Sequence, residues 1–432
     1  MVRQFLKRAR LNAQSEATDT GDRVIRILDD IRSGGEENAL EYTRKFDGYS
    51  GPTLLCEDAI EAAVEKVSQR TKDDILFARD NIRRFAEAQK NTAQEFQMEI
   101  QPGFICGQKL IPVDAVGCYV PAGRYTHVAS AIMTVTTAKV AECNHITVAT
   151  PPKAGEGISP EIIYASTICG ANSVLAMGGV QGIAAMAFGL FGLPKANIIA
   201  GPGNQYVAEA KRLLYGDVGI DMVAGPTDSL ILADKTSDPL VVATDLVSQA
   251  EHGYNSPVWL VTDSAPLGQK VLELVPKLIA DLPSFNGQNA AAAWEDYAEI
   301  IVCSDREEMA QVSDEYAPEH LTVQAEDLEW WLDRLTSYGS LFLGEETTVS
   351  YGDKAAGTNH VLPTSGAARY TGGLSVHKFM KIVTWQRATR EGSKKVAEAT
   401  ARISRLEGME GHARAADIRL KKYFPNESFD LL

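Results

Sequence analysis

An α/β architecture with two parallel-sheet domains is what this sequence predicts, and three observations predict it. Between residues 115 and 224, short β-rich runs alternate with helix-length segments; the same alternation resumes after Gly225; and the first four runs are each followed by Gly or Pro. Strand, turn and helix in alternation mark a parallel sheet with right-handed crossovers. The chain's 432 residues also exceed what one ordinary core holds, which points to two main domains.

Taken in order, residues 21 to about 91 read as helical scaffold. Val24, Ile25, Leu28 and Ile31 form one apolar stripe, and Ile75, Ala78, Ile82 and Phe85 form another. The first strands are residues 115–120, 145–149, 173–177 and 197–200, with 220–223 joining them, and Ala184-Ala185-Met186-Ala187-Phe188 reads as buried helix. After Gly225 come strands at 230–233, 258–262, 300–303 and 341–343. A helix starting at Thr244-Asp245-Leu246-Val247-Ser248 carries Gln249 and His252, and Glu319-His320 falls between the last two strands. The boundary near Gly225 is therefore the candidate crevice. Near the end, Val396, Ala399, Ile403 and Leu406 stripe an amphipathic helix, broken by Gly408 and Gly411 just before His412.

Composition narrows the function. With 45% hydrophobic and 23% charged residues the chain matches a globular enzyme, and no apolar run approaches the ~18 residues of a membrane span. A net charge of −15 argues against nucleic acid and anionic membranes as partners, so an anionic substrate has to be held locally. The six cysteines form no CxxC pair, which indicates neither a disulfide framework nor a thiolate zinc site and suggests the cytoplasm. Residues 1–10 carry four basic side chains without an apolar signal core, so a docking arm is expected there rather than a secretory peptide.

Gln249 and His252, three apart, share a helical face and offer two neutral donors suited to zinc, although the same pair describes many solvated helix faces. Gly201-Pro202-Gly203-Asn204 follows an apolar strand and precedes a helix over residues 205–215. Amides exposed at a helix start can cradle phosphate; the segment is equally a plain tight turn, as is Gly178-Gly179 before Gln181. Glu319-His320 sets a carboxylate beside an imidazole after Pro318, able to serve two proton transfers if their side chains diverge as on a helix. Asp353 is either an oxygen ligand or a turn aspartate, and His360 either acts or fixes its polar loop.

Together these segments resemble the histidinol dehydrogenase family over nearly the whole chain. The resemblance is carried by Gly201-Pro202-Gly203-Asn204, Val218-Gly219-Ile220-Asp221-Met222, Gln249-Ala250-Glu251-His252, Ala317-Pro318-Glu319-His320-Leu321 and Gly357-Thr358-Asn359-His360-Val361-Leu362-Pro363-Thr364, in that order. It implies two incomplete Rossmann-like domains plus two small arms that embrace a dimer partner. The expected division is an arm at 1–20, a discontinuous first α/β domain at 21–118 and 226–372, a second at 119–225 and a helical C-terminal arm at 373–432. It further implies a zinc- and NAD-dependent enzyme taking a primary alcohol through an aldehyde to a carboxylate. By resemblance, zinc falls to Gln249, His252, Asp353 and His412, the last from the partner subunit. NAD falls to Tyr119, Gln181 and Asn204; substrate contacts fall on Thr227, His320 and Glu407 besides the metal ligands. His320 is the expected first base and Glu319 the activator of water.

Departures from the family pattern bear on substrate. Gly253 stands where an Asp is usual, and Gly225-Pro226-Thr227-Asp228 replaces Gly-Pro-Ser-Glu. The loop Pro121-Ala122-Gly123-Arg124-Tyr125-Thr126-His127 is altered, and Lys378 follows His377 where acidic or neutral residues are common. Histidinol brings an ammonium and wants carboxylates; a sulfonate wants Arg, Lys or His. With one carboxylate lost and Arg124, His127 and Lys378 gained, the chain resembles the branch of the family that oxidises 2,3-dihydroxypropane-1-sulfonate to sulfolactate, and the charge argument agrees. The alternatives are histidinol oxidation, which Glu407 favours, and a non-enzymatic metal or nucleotide carrier.

Overall fold

The computed structural model describes residues 3–11, 20–122, 125–223 and 225–431. In chain order it opens with β1 (Gln4–Lys7), helices α1 (Thr20–Phe46), α2 (Glu57–Lys66) and α3 (Gln69–Lys90), and strands β2 (Phe96–Gln101) and β3 (Phe104–Pro112). The first alternating stretch is β4 (Ala115–Tyr119), α4 (Val128–Val140), β5 (His145–Thr150), α5 (Pro160–Cys169), β6 (Ser173–Ala176), α6 (Gly179–Phe188), β7 (Ile198–Ala200), α7 (Gln205–Leu214) and β8 (Gly219–Ile220). The second opens with β9 (Ser229–Ala233), α8 (Pro239–Ala250), β10 (Val258–Thr262), α9 (Ala265–Ala280), α10 (Ser284–Tyr297), β11 (Glu299–Val302) and α11 (Arg306–Tyr316). It closes with β12 (His320–Gln324), α12 (Leu328–Arg334), β13 (Ser340–Leu343) and α13 (Val349–Gly352). Strand β14 (Met380–Ala388) and helices α14 (Arg390–Leu406) and α15 (Glu410–Tyr423) follow.

Residues 1–90 and 113–379 form one compact unit containing two sheets. The first sheet runs β6-β5-β4-β7-β8, all parallel. Renumbered within the sheet this is 3-2-1-4-5, the strand order of a Rossmann half plus two strands, with its switch point between β4 and β7. The second runs β1-β11-β10-β9-β12-β13, repeating 3-2-1-4-5 with β1 added antiparallel at one edge. The two incomplete Rossmann-like sheets are therefore present. Helices cover both faces of the first sheet, so β4 is buried along its whole length and its residues are apolar without alternation.

Four expectations are corrected. The helices of residues 20–90 were assigned to the domain of the second sheet; Val24, Leu28, Ile31 and Ala39 instead pack with Ile183 and Ala184 of α6 against the first sheet. Within their stripes Ile25 and Phe85 are exposed, because the 100° step of a helix hands the buried positions to Leu28 and Ala86. The arm at the N-terminus lies on its own chain as β1, paired with β11. The helix carrying Gln249 starts not at Thr244 but at Pro239, capped by the Asp238 carboxylate on Leu240 N at 2.7 Å. Gln249 therefore sits in its last turn and His252 just beyond it.

Residues 91–112 and 380–432 form the second unit. The C-terminal arm is thus not purely helical: β14 pairs antiparallel with β3, which pairs with β2, and α14 packs on α15. Ala397, Ala401 and Ser404 make the buried face of α14, while Ile403 and Leu406 of the sequence stripe point outward, Leu406 at 87% exposure. Among the described residues no helix is long and apolar enough to cross a membrane.

Candidate active site

The chemistry-bearing residues gather at the amino edge of the second sheet. His320 pairs in register with Ser229, so the residues just before the two strands, Glu319 and Asp228, are neighbours. Asp228, buried, ties this edge together: its carboxylate accepts from Glu319 N at 2.7 Å and Ser365 N at 2.8 Å, and its own N–H donates to Glu319 Oε2 at 3.2 Å. Ala317 precedes this edge with φ of 47°, a left-handed conformation that costs a non-glycine residue about 1–2 kcal/mol and aims the chain into the Pro318 turn. Glu319-His320 accordingly sits at the mouth of a central strand rather than on a helix. The two side chains do not diverge: Glu319 Oε2 is 3.7 Å from His320 Nδ1.

On the other side of the imidazole, His320 Nε2 is 3.5 Å from Asp353 Oδ1, and Asp353 Oδ2 is 3.7 Å from His252 Nε2. Both ring nitrogens of buried His320 lack a well-aimed hydrogen bond. Burial opposes charge on His320, but the Glu319 and Asp353 carboxylates outweigh it and push its pKa up to about 9. Burial pushes Glu319 up to about 8, against the pull of His320. Burial would also raise Asp353, yet its contact with His320 prevails and holds it well below the usual carboxylate range. His360 does fix its loop: Nδ1 meets Asp353 O and Nε2 meets Ser130 Oγ, each at 3.0 Å, and burial holds it neutral.

Of the metal ligands implied by resemblance, His252 and Asp353 face each other, and Gln249 precedes His252 at the end of α8. Gln249 and His252 end α8, which packs on α13, and Asp353 follows α13 directly. Gln249 is 3% exposed and its Oε1 has no hydrogen-bond partner, so a buried acceptor stands unsatisfied in the last turn of α8. Two donors sharing a zinc ion at about 2.0–2.2 Å each stand roughly 3–4 Å apart, which the His252–Asp353 spacing meets. The donors of Gln249, His252 and Asp353 fit a divalent ion, although no group of three His, Cys, Asp or Glu side chains among the described residues forms such a site without the amide. His412 and Glu407 lie exposed in the second unit.

The loop after β4 reaches this cluster. Tyr125 Oη donates to Glu251 O at 3.2 Å, and the His127 imidazole, held neutral by burial, feels His360, Lys354 and Asp353. His127 therefore faces the site as an N–H donor and not as the cation that an anionic substrate was expected to find. Thr227, half-buried, precedes Asp228. Lys378 sits in the turn Val376–Phe379, packed on α3 and α4, with no hydrogen bond or ion pair to the cluster among the described residues. Arg124 lies outside the described residues.

The nucleotide residues implied by resemblance lie at the carboxyl edge of the first sheet, on its switch point. Gly201, at φ +123°, follows β7, and a Cβ there would stand 2.1 Å from Tyr119 O at the end of β4. A buried ion pair fixes this turn: Asp221 accepts from Gly201 N at 2.7 Å, and Lys211 donates to Gly201 O at 2.9 Å while pairing with Asp221. Asn204 caps α7, its oxygen accepting from Tyr206 N and Val207 N at 3.0 and 3.1 Å, so only its amide nitrogen is left to meet a ligand. Tyr119 Oη accepts from Gly179 N at 3.0 Å, which joins the two turns. Asp228, Lys211, Asp221 and Ser130 carry no local sequence signature for these tasks; their partners are distant in the chain.

The family profile described as Histidinol dehydrogenase matches residues 10–420. A sulfopropanediol 3-dehydrogenase from Ruegeria pomeroyi is 69% identical over 431 residues, covering 100% of this chain and 99% of that one. A histidinol dehydrogenase from Methanocaldococcus jannaschii is 38% identical, over 92% of each. Among solved structures, histidinol dehydrogenase from Elizabethkingia anophelis superposes with a TM-score of 0.90 at 36% identity, covering 96% of this chain and 94% of that one.

Proposed function

We propose, from the premise that this chain belongs to the histidinol dehydrogenase family, that it oxidises the primary alcohol of 2,3-dihydroxypropane-1-sulfonate to sulfolactate with two NAD. The observation that carries the substrate is full-length similarity, at 69%, to a protein named for sulfopropanediol. The balance requires one alcohol, one water and two NAD to give one carboxylate, two NADH and three protons.

In its neutral form His320 takes the alcohol proton as the first hydride leaves, and Glu319, ionised, holds the water that adds to the aldehyde. Because the two are 3.7 Å apart and coupled, they act as one proton-handling pair, resetting each other between steps. Glu319 and Asp228 exchange hydrogen bonds, which keeps the carboxylate from rotating away. A divalent ion, zinc in our reading, held by Gln249, His252 and Asp353 would supply Lewis-acid polarisation of the substrate hydroxyls. In this reading His127, beside Asp353 and His360, donates to the sulfonate. The purified enzyme should release two NADH per sulfopropanediol consumed, with sulfolactate as product; one NADH per alcohol and an accumulating aldehyde would contradict the two-step reading.

We also propose a homodimer in which His412 of the partner subunit completes the ion's coordination, with Glu407 nearby. Ile403, Leu406, Met409 and Ile418 are exposed in the second unit, apolar side chains that a second copy would cover. Mixing inactive His412→Ala with inactive His320→Ala and allowing subunits to exchange should restore part of the activity, since one site per hybrid is intact. No recovery in proven heterodimers would remove the shared site. The unpaired state of all six cysteines supports a cytoplasmic location.

A further inference from the structure

The nucleotide crevice holds one carboxylate that no step above uses. Asp47 stands just past α1, and its placement is built: α1 packs on α6, and residues 53–55 pair along the edge of β6 through Leu55 N to Val174 O and Ala176 N to Thr53 O. Asp47 Oδ2 accepts from Gly178 N at 3.2 Å and from Gln181 Nε2 at 3.0 Å. Gln181 is 1% exposed, and with its nitrogen committed to Asp47 its Oε1 is left without a partner. A buried acceptor of this kind calls for a donor from a ligand.

Position says which donor. In a sheet of order 3-2-1-4-5, the acid that binds the nucleotide ribose belongs at the end of the second strand. Here that strand is β5, and it runs into Thr150-Pro151-Pro152-Lys153 with no Asp or Glu. Gly178 lies against Pro151 so closely that a Cβ would come within 2.6 Å of its ring. The carboxylate bound to Gly178 N is therefore delivered from outside the sheet to the place where β5 supplies none.

We propose that Asp47 is the ribose acid of this site: with Gln181 Oε1 it accepts the ribose hydroxyls of NAD, and its charge excludes the 2′-phosphate of NADP. The inference rests on the reading that the enzyme uses a nicotinamide dinucleotide. Two acceptors side by side suit a hydroxyl donor, while a carboxylate beside a phosphate monoester is a like-charge pair without compensation. Lys153, exposed just beyond Pro152, is available to a phosphate once the carboxylate is neutralised.

Direct titration of the full-length enzyme with NADH and NADPH, read by nucleotide fluorescence without substrate, tests this apart from the choice of alcohol. Wild-type protein should bind NADH at least about tenfold more tightly than NADPH, and Asp47→Asn should narrow that ratio by about tenfold, mainly through tighter NADPH. Asp47→Glu, which keeps the charge, should retain the preference, and it serves as the second variant if Asp47→Asn melts early. An unchanged ratio in folded Asp47→Asn, lost discrimination in Asp47→Glu, or a wild type that does not discriminate would overturn the inference alone. Binding of neither nucleotide by the wild type would instead sink the NAD reading and take this inference with it.

Discussion

Glu319→Gln should slow oxidation of the supplied aldehyde by about 10²–10⁴-fold while slowing the alcohol step far less. The amide keeps the size of the side chain and can still accept from Asp228 N, so the edge of β12 stays in place. What it loses is the ability to take a proton from water. Because Glu319 is also coupled to His320, the alcohol step should show a smaller loss through a less charged neighbour. Single-turnover measurements with each substrate separate the two; equal impairment would mean that Glu319 serves the imidazole in both steps and does not activate water.

Removing the divalent ion should abolish turnover, a loss of about a thousandfold or more, since polarisation of the substrate hydroxyls is worth several kcal/mol. A stability readout accompanies it. Gln249 Oε1 is buried without a partner and His252 faces Asp353, so the ion should raise the melting temperature of the stripped protein by satisfying all three. Gln249→Leu, lacking the unsatisfied acceptor, should lose both the bound metal by elemental analysis and the ion-dependent rise. Protein verified as metal-free that keeps full turnover would end the metal reading.

Much of the molecule was legible locally and the remainder was not, for reasons that particular residues show. Strands β4 to β7 of the first sheet are largely buried because both faces are covered, and each is soon followed by a Gly or Pro, so they stand out in the sequence. Strand β12 does not: His320, Thr322 and Gln324 alternate with Leu321 and Val323 although all five are buried, since one face of the strand carries the chemistry. The stripe on α1 told which side is buried but not against what, and a stripe cannot. On α14 the large apolar residues lie on the outward face and small residues on the inward one, the reverse of what a lone subunit wants. His252, Glu319, His320 and Asp353, each singled out in the sequence, lie close together. Asp228, the Lys211–Asp221 pair and Asp47 act through backbone amides remote in sequence, where no spacing rule reaches.

The central claim is that the site takes an anionic sulfonate diol. Measuring kcat/KM for NADH formation on one preparation, with sulfopropanediol, histidinol and glycerol side by side, tests it most directly. A hydrogen bond to a charged group is worth about 1.5–3 kcal/mol, so sulfopropanediol should exceed glycerol and histidinol by roughly tenfold to a hundredfold. Efficient oxidation of histidinol by an enzyme that ignores the sulfonate would contradict the claim and leave only the family.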